Sequence, residues 1–409
     1  MSERLPLHLH IPEPPSRPGD VPHFEKLRLS PAGSVRRPPV DAPESDLRDL
    51  PYVLIRVLDD EGNAQGPWDP ELSADQLHAG LRAMMLTRQF EDRMFTAHRQ
   101  GKTSFFMKCT GEEAIAVAMA MATAADDMCF PTYRMQGWLM ARGYPLSTMM
   151  NQIYSNEDDP LRGRQLPLLY SAREYGFYSL SGNLGNRFVH AVGWAMASAY
   201  KADHRIAIGA VGEGTTAEGG FHEGMTFASV YRAPVVLVVT NNQWAISGHA
   251  NLAGGEETTF AAKATGYAMP GLRVDGNDFL AVWAATQWAA HRACANLGPS
   301  LIEFFTYRAA AHSTSDDPGR YRPADESAQW PLGDPLERLK RHMIARGLWS
   351  EEQHVQMTAE IADSVRTAQK AAEAIGTMGK SKPPLDEMFD DVFKEPDWRL
   401  LEQRRELER

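Results

Sequence analysis

The spacing of apolar residues changes period several times along the chain, and each change predicts an element. Ile206-Ala-Ile-Gly-Ala-Val211 and Val235-Val-Leu-Val-Val-Thr240 are short, nearly unbroken apolar runs, the pattern of strands buried on both faces of a parallel sheet. Residues 217–230 between them keep helical spacing, so this stretch predicts one βαβ unit. Met128-Cys-Phe130 and Leu301-Ile-Glu-Phe-Phe305 predict further strands, and Tyr52-Val-Leu-Ile-Arg-Val-Leu58 predicts another, closed by the turn Asp59-Asp-Glu-Gly62. A helix starts at the capping box Ser73-Ala-Asp-Gln76, runs through Leu77, Leu81, Met84, Met85, Met94 and Phe95, and stops at Gly101. Residues 112–125, rich in Ala and Met, predict a second, buried helix. Residues 188–200 predict a third, whose small residues permit close packing at a subunit interface; His190 on it reads as a satisfied core histidine. Strands alternating with helices give an α/β fold, a mostly parallel sheet with helices on both faces.

The ends of the chain have a different pattern. Residues 1–51 hold eleven of the 27 prolines and little periodicity, which predicts an extended N-terminal arm, either disordered or laid on a partner chain. Beyond the core, taken as residues 52–330, the region 331–409 predicts helices and an acidic tail, a solvated packing appendage. Asp334-Pro335 caps one helix that stops at Gly347, Ser350-Glu-Glu-Gln353 opens a long polar one to about Gly376, and Pro383-Pro384 precedes the acids of Asp386 to Asp391.

Composition narrows the chemistry. A formal charge of −11 over 409 residues argues against nucleic acid, so any phosphate site has to be local. Three scattered cysteines, Cys109, Cys129 and Cys294, fit neither a disulfide framework nor a zinc site. No apolar run reaches the roughly 18 residues of a membrane span. The arm lacks the pattern of a secretion or organelle signal, and a bacterial cytoplasm is the expected location.

The βαβ unit carries the candidate chemistry, because ligands bind beyond the carboxyl ends of parallel strands and both ends here bear oxygen ligands, Glu213 and Asn242. Three readings compete. Gly212-Glu-Gly-Thr-Thr-Ala217 fits a dinucleotide fingerprint, but Thr240-Asn241-Asn242 stands where the ribose-binding acid belongs. A tight turn with a solvated Glu is the plain alternative. The third is magnesium held by Glu213, the Asn242 amide oxygen and a backbone carbonyl, with a helix starting near Thr216 offering amides to a diphosphate.

Gly212-Glu-Gly, 26 residues, then Asn241-Asn242 resembles the thiamine diphosphate motif. With Asn241-Asn-Gln-Trp-Ala-Ile-Ser247, Arg273-Val-Asp-Gly-Asn277 and Tyr307-Arg-Ala-Ala-Ala-His-Ser-Thr-Ser-Asp-Asp317, residues 52 to about 330 resemble the alpha subunits of branched-chain 2-oxo acid dehydrogenases. The resemblance implies the diphosphate half of a thiamine diphosphate-binding fold and oxidative decarboxylation of a 2-oxo acid with acyl transfer to a lipoyl-bearing acyltransferase core. It also implies a beta subunit that supplies the activating Glu, two alpha and two beta chains in all. Among the cofactor contacts it implies are Tyr133, Arg134, Gly212, Glu213, Gly214, Thr215, Asn242 and His312, with the backbone of Gly182 and Leu184 at the aminopyrimidine. Glu213, Asn242 and the Trp244 carbonyl would hold Mg2+, and Thr103-Ser-Phe-Phe-Met107 would line the approach.

His312 is also expected as the proton donor in acyl transfer, since imidazole titrates near neutrality. Ser313 matches a serine phosphorylated in the animal enzymes. Four positions depart from that pattern: Trp244 replaces a Tyr, Thr240 an Arg that reaches the diphosphate, and Asn186-Arg187 the Thr and Gln beside a potassium ion. A pyruvate or acetoin dehydrogenase alpha subunit, a nicotinamide-dependent dehydrogenase and a non-catalytic binding subunit are the alternatives.

Overall fold

A computed structural model describes residues 7–381, 384–390 and 393–407. Pro383 and Asp391, at the margins of the expected acidic tail, lie outside the described residues. The strands are β1 (Leu54–Ile55), β2 (Met128–Phe130), β3 (Ala207–Gly212), β4 (Val235–Asn241), the short hairpin β5 (Trp244–Ala245) and β6 (Gly248–His249), β7 (Gly271–Asp275) and β8 (Ser300–Phe305). All but the hairpin form one parallel sheet in the order β1-β7-β8-β4-β3-β2.

The helices are α1 (Ala74–Arg99), α2 (Glu113–Ala122), α3 (Gln136–Ala141), α4 (Leu146–Tyr154), α5 (Asn186–Tyr200), α6 (Gly219–Val230), α7 (Phe279–Cys294), α8 (Pro335–Ala345), α9 (Glu351–Ile375) and α10 (Trp398–Leu407). The two-residue period of the strands divides the core between the faces of the sheet. Val236 and Val238 join the cluster built with α1, α2 and α7, whereas Val235, Leu237 and Val239 join the one built with α5 and α6. The sheet is therefore covered on both sides, as the near-continuous apolar runs require.

The capping box at Ser73 forms in both directions, with Gln76 N donating to Ser73 Oγ at 3.3 Å and Ser73 N to Gln76 Oε1 at 2.9 Å. Two other elements are shorter than their patterns predict. Of Tyr52–Leu58 only Leu54–Ile55 pairs as a strand, because Val57 N and Leu58 N donate instead to Asp278 Oδ2, at 2.8 and 2.6 Å. Helix α2 ends at Ala122 rather than 125, where Thr123 turns extended and its hydroxyl takes the Met119 carbonyl at 2.8 Å.

The arm is ordered on its own chain. Val35, Leu47 and Leu50 are buried, and the carbonyls of Arg36 and Pro38 accept the indole N–H groups of Trp68 (3.0 Å) and Trp288 (2.9 Å). The C-terminal region is more than a solvated appendage: α9 buries Ile361, Val365, Gln369 and Ala372 along one stripe against α1 and α4, and Glu373 pairs with Lys102 at 2.8 Å. Among the described residues no helix is long and apolar enough to cross a membrane.

Candidate functional site

Four adjacent strands, β8, β4, β3 and β2, run parallel, so the segments that follow their carboxyl ends share one rim of the sheet. After β3 the chain does not enter a helix near Thr216. Residues Glu213–Ala217 make a 3-10 turn, closed by Thr216 Oγ1 donating to Glu213 O at 2.8 Å, and Glu218 is extended, so α6 starts only at Gly219. The turn lies hard against the β5–β6 hairpin: a Cβ on Gly214 would stand 2.5 Å from Ala245 Cβ. Thr215 is buried in the turn, and around Gly212 the space that a Cβ would enter is open.

Glu213 is buried, with 2 % of its surface exposed. Its Oε2 accepts from Asn242 N at 3.3 Å, while Oε1 is enclosed without a hydrogen-bond partner. Burial pushes this carboxyl up to about 7. An orphaned anionic oxygen in a closed site is costly unless a donor or cation meets it, which is the fit a hard divalent ion requires. Among the described residues no cluster of three or more His, Cys, Asp or Glu side chains forms a cage of its own.

After β4, Asn241 turns aside to Glu303, donating from Nδ2 to Oε1 at 2.8 Å. Asn242 donates from Nδ2 to Glu112 Oε1 at 2.8 Å, and its Oδ1 accepts from Trp244 N at 3.2 Å. Gln243 and Ile246 adopt left-handed backbone, φ 73° and 57°, which bends the loop sharply on either side of Trp244. The Trp244 carbonyl already accepts from Arg308 Nη1 at 2.7 Å, so one of its two lone pairs remains for a metal.

Arg134, after β2, is 4 % exposed. Its Nη2 donates to His312 O at 2.8 Å and stands 3.1 Å from His312 Nδ1, its Nη1 donates to Lys108 O, and its Nε lies 3.7 Å from Glu112 Oε1. The guanidinium also covers the Tyr133 ring at 5.5 Å, and the Tyr133 and His312 rings meet edge to face at 6.0 Å.

Because arginine only donates, His312 Nδ1 is the acceptor and the ring hydrogen sits on Nε2. Burial, reinforced by Arg134 and Arg308, pushes His312 down to about 4, so the imidazole is neutral at pH 7 in this chain. The expectation of an imidazole titrating near neutrality is thereby corrected. What His312 has to offer is the Nε2 hydrogen of a neutral ring.

Gly182 and Leu184 are not brought in with the others: both are exposed on the loop before α5, Leu184 to 48 %. That loop is tied back toward Tyr133 by Arg187, which donates to Ser181 O at 2.6 Å and whose guanidinium lies 5.9 Å from the Tyr133 ring centre. His190 is exposed rather than a core residue, since α5 turns Val189, His190 and Tyr200 outward. Phe106 is core, and its main chain clasps Thr314 through bonds of 3.0 and 3.2 Å.

Two residues of the site were not singled out from the sequence, Glu112 and Arg308. Arg308 links the Trp244 loop to the segment that carries His312: its Nη2 donates to Tyr321 OH at 2.6 Å, and both Tyr321 OH and His312 N donate to Asp316 Oδ2, at 2.6 and 2.7 Å. Ser313, in that segment, is buried and accepts from Ser315 N at 3.2 Å. The density of polar residues over 308–322 was the available signal for Arg308; Glu112 had none, because its partner lies 130 positions away.

Comparison with known proteins bears on this constellation. The family model described as "Dehydrogenase E1 component" matches residues 81–380, and "2-oxoisovalerate dehydrogenase E1 alpha subunit N terminal" matches residues 5–45. The chain is 58 % identical over 408 residues to the 2-oxoisovalerate dehydrogenase subunit alpha of Pseudomonas aeruginosa, all of both chains being covered. It is 37 % identical over 358 residues to the mitochondrial alpha subunit of the mouse enzyme, covering 87 % of this chain and 80 % of that one. Arabidopsis thaliana alpha subunit 1 is 36 % identical over 353 residues, 86 % of this chain and 73 % of the plant protein.

Proposed function

We infer from a plain premise, that the chain belongs to the dehydrogenase E1 component family as an alpha subunit of the 2-oxoisovalerate type, that it serves thiamine diphosphate-dependent oxidative decarboxylation of branched-chain 2-oxo acids. The acyl product passes to a lipoyl group of an acyltransferase core. Residues 52–330 carry the diphosphate half of the site, between the arm (1–51) and the C-terminal helical region (331–409). When bound, the cofactor supplies the electron sink for loss of carbon dioxide. The residues of this chain bind and orient it. Glu213, the Asn242 amide oxygen and the Trp244 carbonyl would hold Mg2+, and Arg134 and Tyr133 would meet the diphosphate beside Gly212, Gly214 and Thr215. Gly182 and Leu184 would offer main-chain groups to the aminopyrimidine from a loop that lies open in the single chain. His312 would give its Nε2 hydrogen to the acyl-transfer step.

The observation that carries this reading is the buried Glu213 Oε1, which has no hydrogen-bond partner among the described residues and belongs to a carboxylate whose Oε2 accepts from the Asn242 main chain. The other half of the site would come from a beta subunit, in an assembly of two alpha and two beta chains. Large apolar side chains left in water near the end of α6, Phe227, Val230 and Tyr231, each more than half exposed, fit a surface covered by another subunit. With a net charge of −11 the chain is suited to neither nucleic acid nor an anionic membrane, and a cytoplasmic location follows for a bacterial complex.

Reconstitution tests the reading. The purified chain alone should not decarboxylate branched-chain 2-oxo acids; co-expressed with a beta subunit it should do so only with thiamine diphosphate and magnesium. Glu213→Ala should abolish magnesium-dependent cofactor binding with the melting temperature kept. Turnover by the single chain, or unchanged cofactor affinity in the variant, would refute the heteromeric or the metal assignment respectively.

A further inference from the structure

We propose that Glu112 is a positioning residue for the metal loop: its buried carboxylate holds the Asn242 carboxamide nitrogen and thereby presents Asn242 Oδ1, rather than Nδ2, as the ligand beside Glu213. The inference rests on the cofactor reading above and deepens it.

Glu112 immediately precedes α2, and its side chain makes no capping bond to that helix. It points into the site instead, 5 % exposed, with Oε1 2.8 Å from Asn242 Nδ2 and 3.7 Å from Arg134 Nε. A carboxamide has a donor end and an acceptor end of nearly equal size, so its orientation is set only by what its neighbours distinguish. Here two neighbours do so. Glu112 can only accept when ionised and Trp244 N can only donate, the latter at 3.2 Å from Oδ1.

Without Glu112, the longer contact to Trp244 N would hold the amide alone. The Glu213 carboxylate, whose Oε2 already accepts from Asn242 N at 3.3 Å and whose Oε1 has no hydrogen-bond partner among the described residues, would then attract Nδ2. That bond would satisfy the orphaned oxygen and turn a donor toward the place a cation needs. Glu112 thus keeps the amide from closing the site. The same oxygen faces Arg134 Nε, so one carboxylate restrains both the amide ligand and the guanidinium.

The test uses the complex assembled with its beta subunit. Magnesium is titrated at fixed thiamine diphosphate, and cofactor uptake is followed by tryptophan fluorescence. Glu112→Leu should raise the half-saturating magnesium about tenfold, while Glu112→Gln, which keeps an acceptor for the Asn242 amide, should stay within about threefold of wild type. Equal half-saturation in Glu112→Leu and wild type overturns the proposal. So does a Glu112→Gln as impaired as Glu112→Leu, because charge pairing with Arg134 would then be the whole effect.

If Glu112→Leu does not assemble, the Asn242→Asp background decides. No amide is left to orient there and two carboxylates face each other, so Glu112→Gln must lower the half-saturating magnesium. No change of that sign overturns the idea. Absence of magnesium-dependent uptake in the wild-type complex would count against the cofactor reading itself, a distinct result.

Discussion

Single side chains in this protein are set by what surrounds them more than by their own ordinary chemistry. His312 is the clearest case, held neutral by burial and two guanidinium groups. A His312→Ala complex should still bind thiamine diphosphate, with affinity down by a few fold. It should lose overall activity with a lipoyl acceptor by at least tenfold more than decarboxylation with an artificial electron acceptor; equal losses at saturating cofactor would remove the proton-donor role.

Glu91 shows the same control away from the site. Fully buried, with Oε2 accepting from Cys109 N at 2.8 Å and Oε1 unpartnered, it is pushed up to about 8 by burial. A carboxyl whose folded value lies above its unfolded one favours the fold while protonated. Its contribution is complete below about pH 4.5 and is lost as pH rises toward 8. Glu91→Gln removes this titration, so melting temperatures measured from pH 5 to 8.5 should fall less steeply in the variant. The gain at the alkaline end should be of the order of 1–3 kcal/mol, since a tenfold change in a carboxyl's proton affinity corresponds to about 1.4 kcal/mol. Identical profiles would show that Glu91 titrates no differently in the folded and unfolded chain.

At the scale of elements, five of the six strands of the sheet and six of the ten helices among the described residues were legible because their signals are local: apolar runs for β3, β4 and β8, a capping box for α1, an Asp-Pro start for α8; β7, α3, α4, α7 and α10 were not read. The errors fall where a side chain, distant or near, takes over main-chain groups that the apolar pattern would have paired. Asp278 takes the amides that would have extended β1, and the Thr216 hydroxyl turns the start of α6 into a 3-10 turn. His190 was misplaced because the spacing in α5 does not say which of its faces lacks a neighbour. In the site, the motif residues Glu213, Asn242 and Arg134 were named from the sequence, whereas Glu112 and Arg308 acquire their roles only from contacts across the fold.

The turn after β3 also explains the second glycine of the motif. A methyl on Gly214 would have to push Ala245 away, and with it the loop that carries Asn242 and Trp244. Gly214→Ala should therefore weaken cofactor binding about tenfold or more while changing the melting temperature by only a few degrees. A variant that binds as wild type does would mean that the hairpin can retreat without moving Trp244.

Over the whole molecule, the division of labour follows from topology. One sheet rim gathers segments from four strands, but the loop with Gly182 and Leu184 stands open and large apolar side chains are left in water. Both features fit the proposal that the chain supplies half of a site. The arm is built differently, since its main-chain carbonyls are read by side chains of the core: Trp68 on Arg36, Trp288 on Pro38, Arg292 on Val40.

For anyone handling this protein, those three carbonyls fix where it can be cut or extended. Leu7, Leu9 and Ile11 are largely exposed, so an affinity tag ahead of them should leave the yield of soluble complex unchanged, and deletion through residue 15 should cost little. Deletion through residue 40 leaves two buried indole N–H groups without acceptors, at about 1–3 kcal/mol each, and takes one of its acceptors from the Arg292 guanidinium, which keeps the Leu297 carbonyl. A chain shortened that far should reach the insoluble fraction of an expression trial while the shorter deletion remains in the supernatant, and equal recovery of the two would mean that the core stands without its strap.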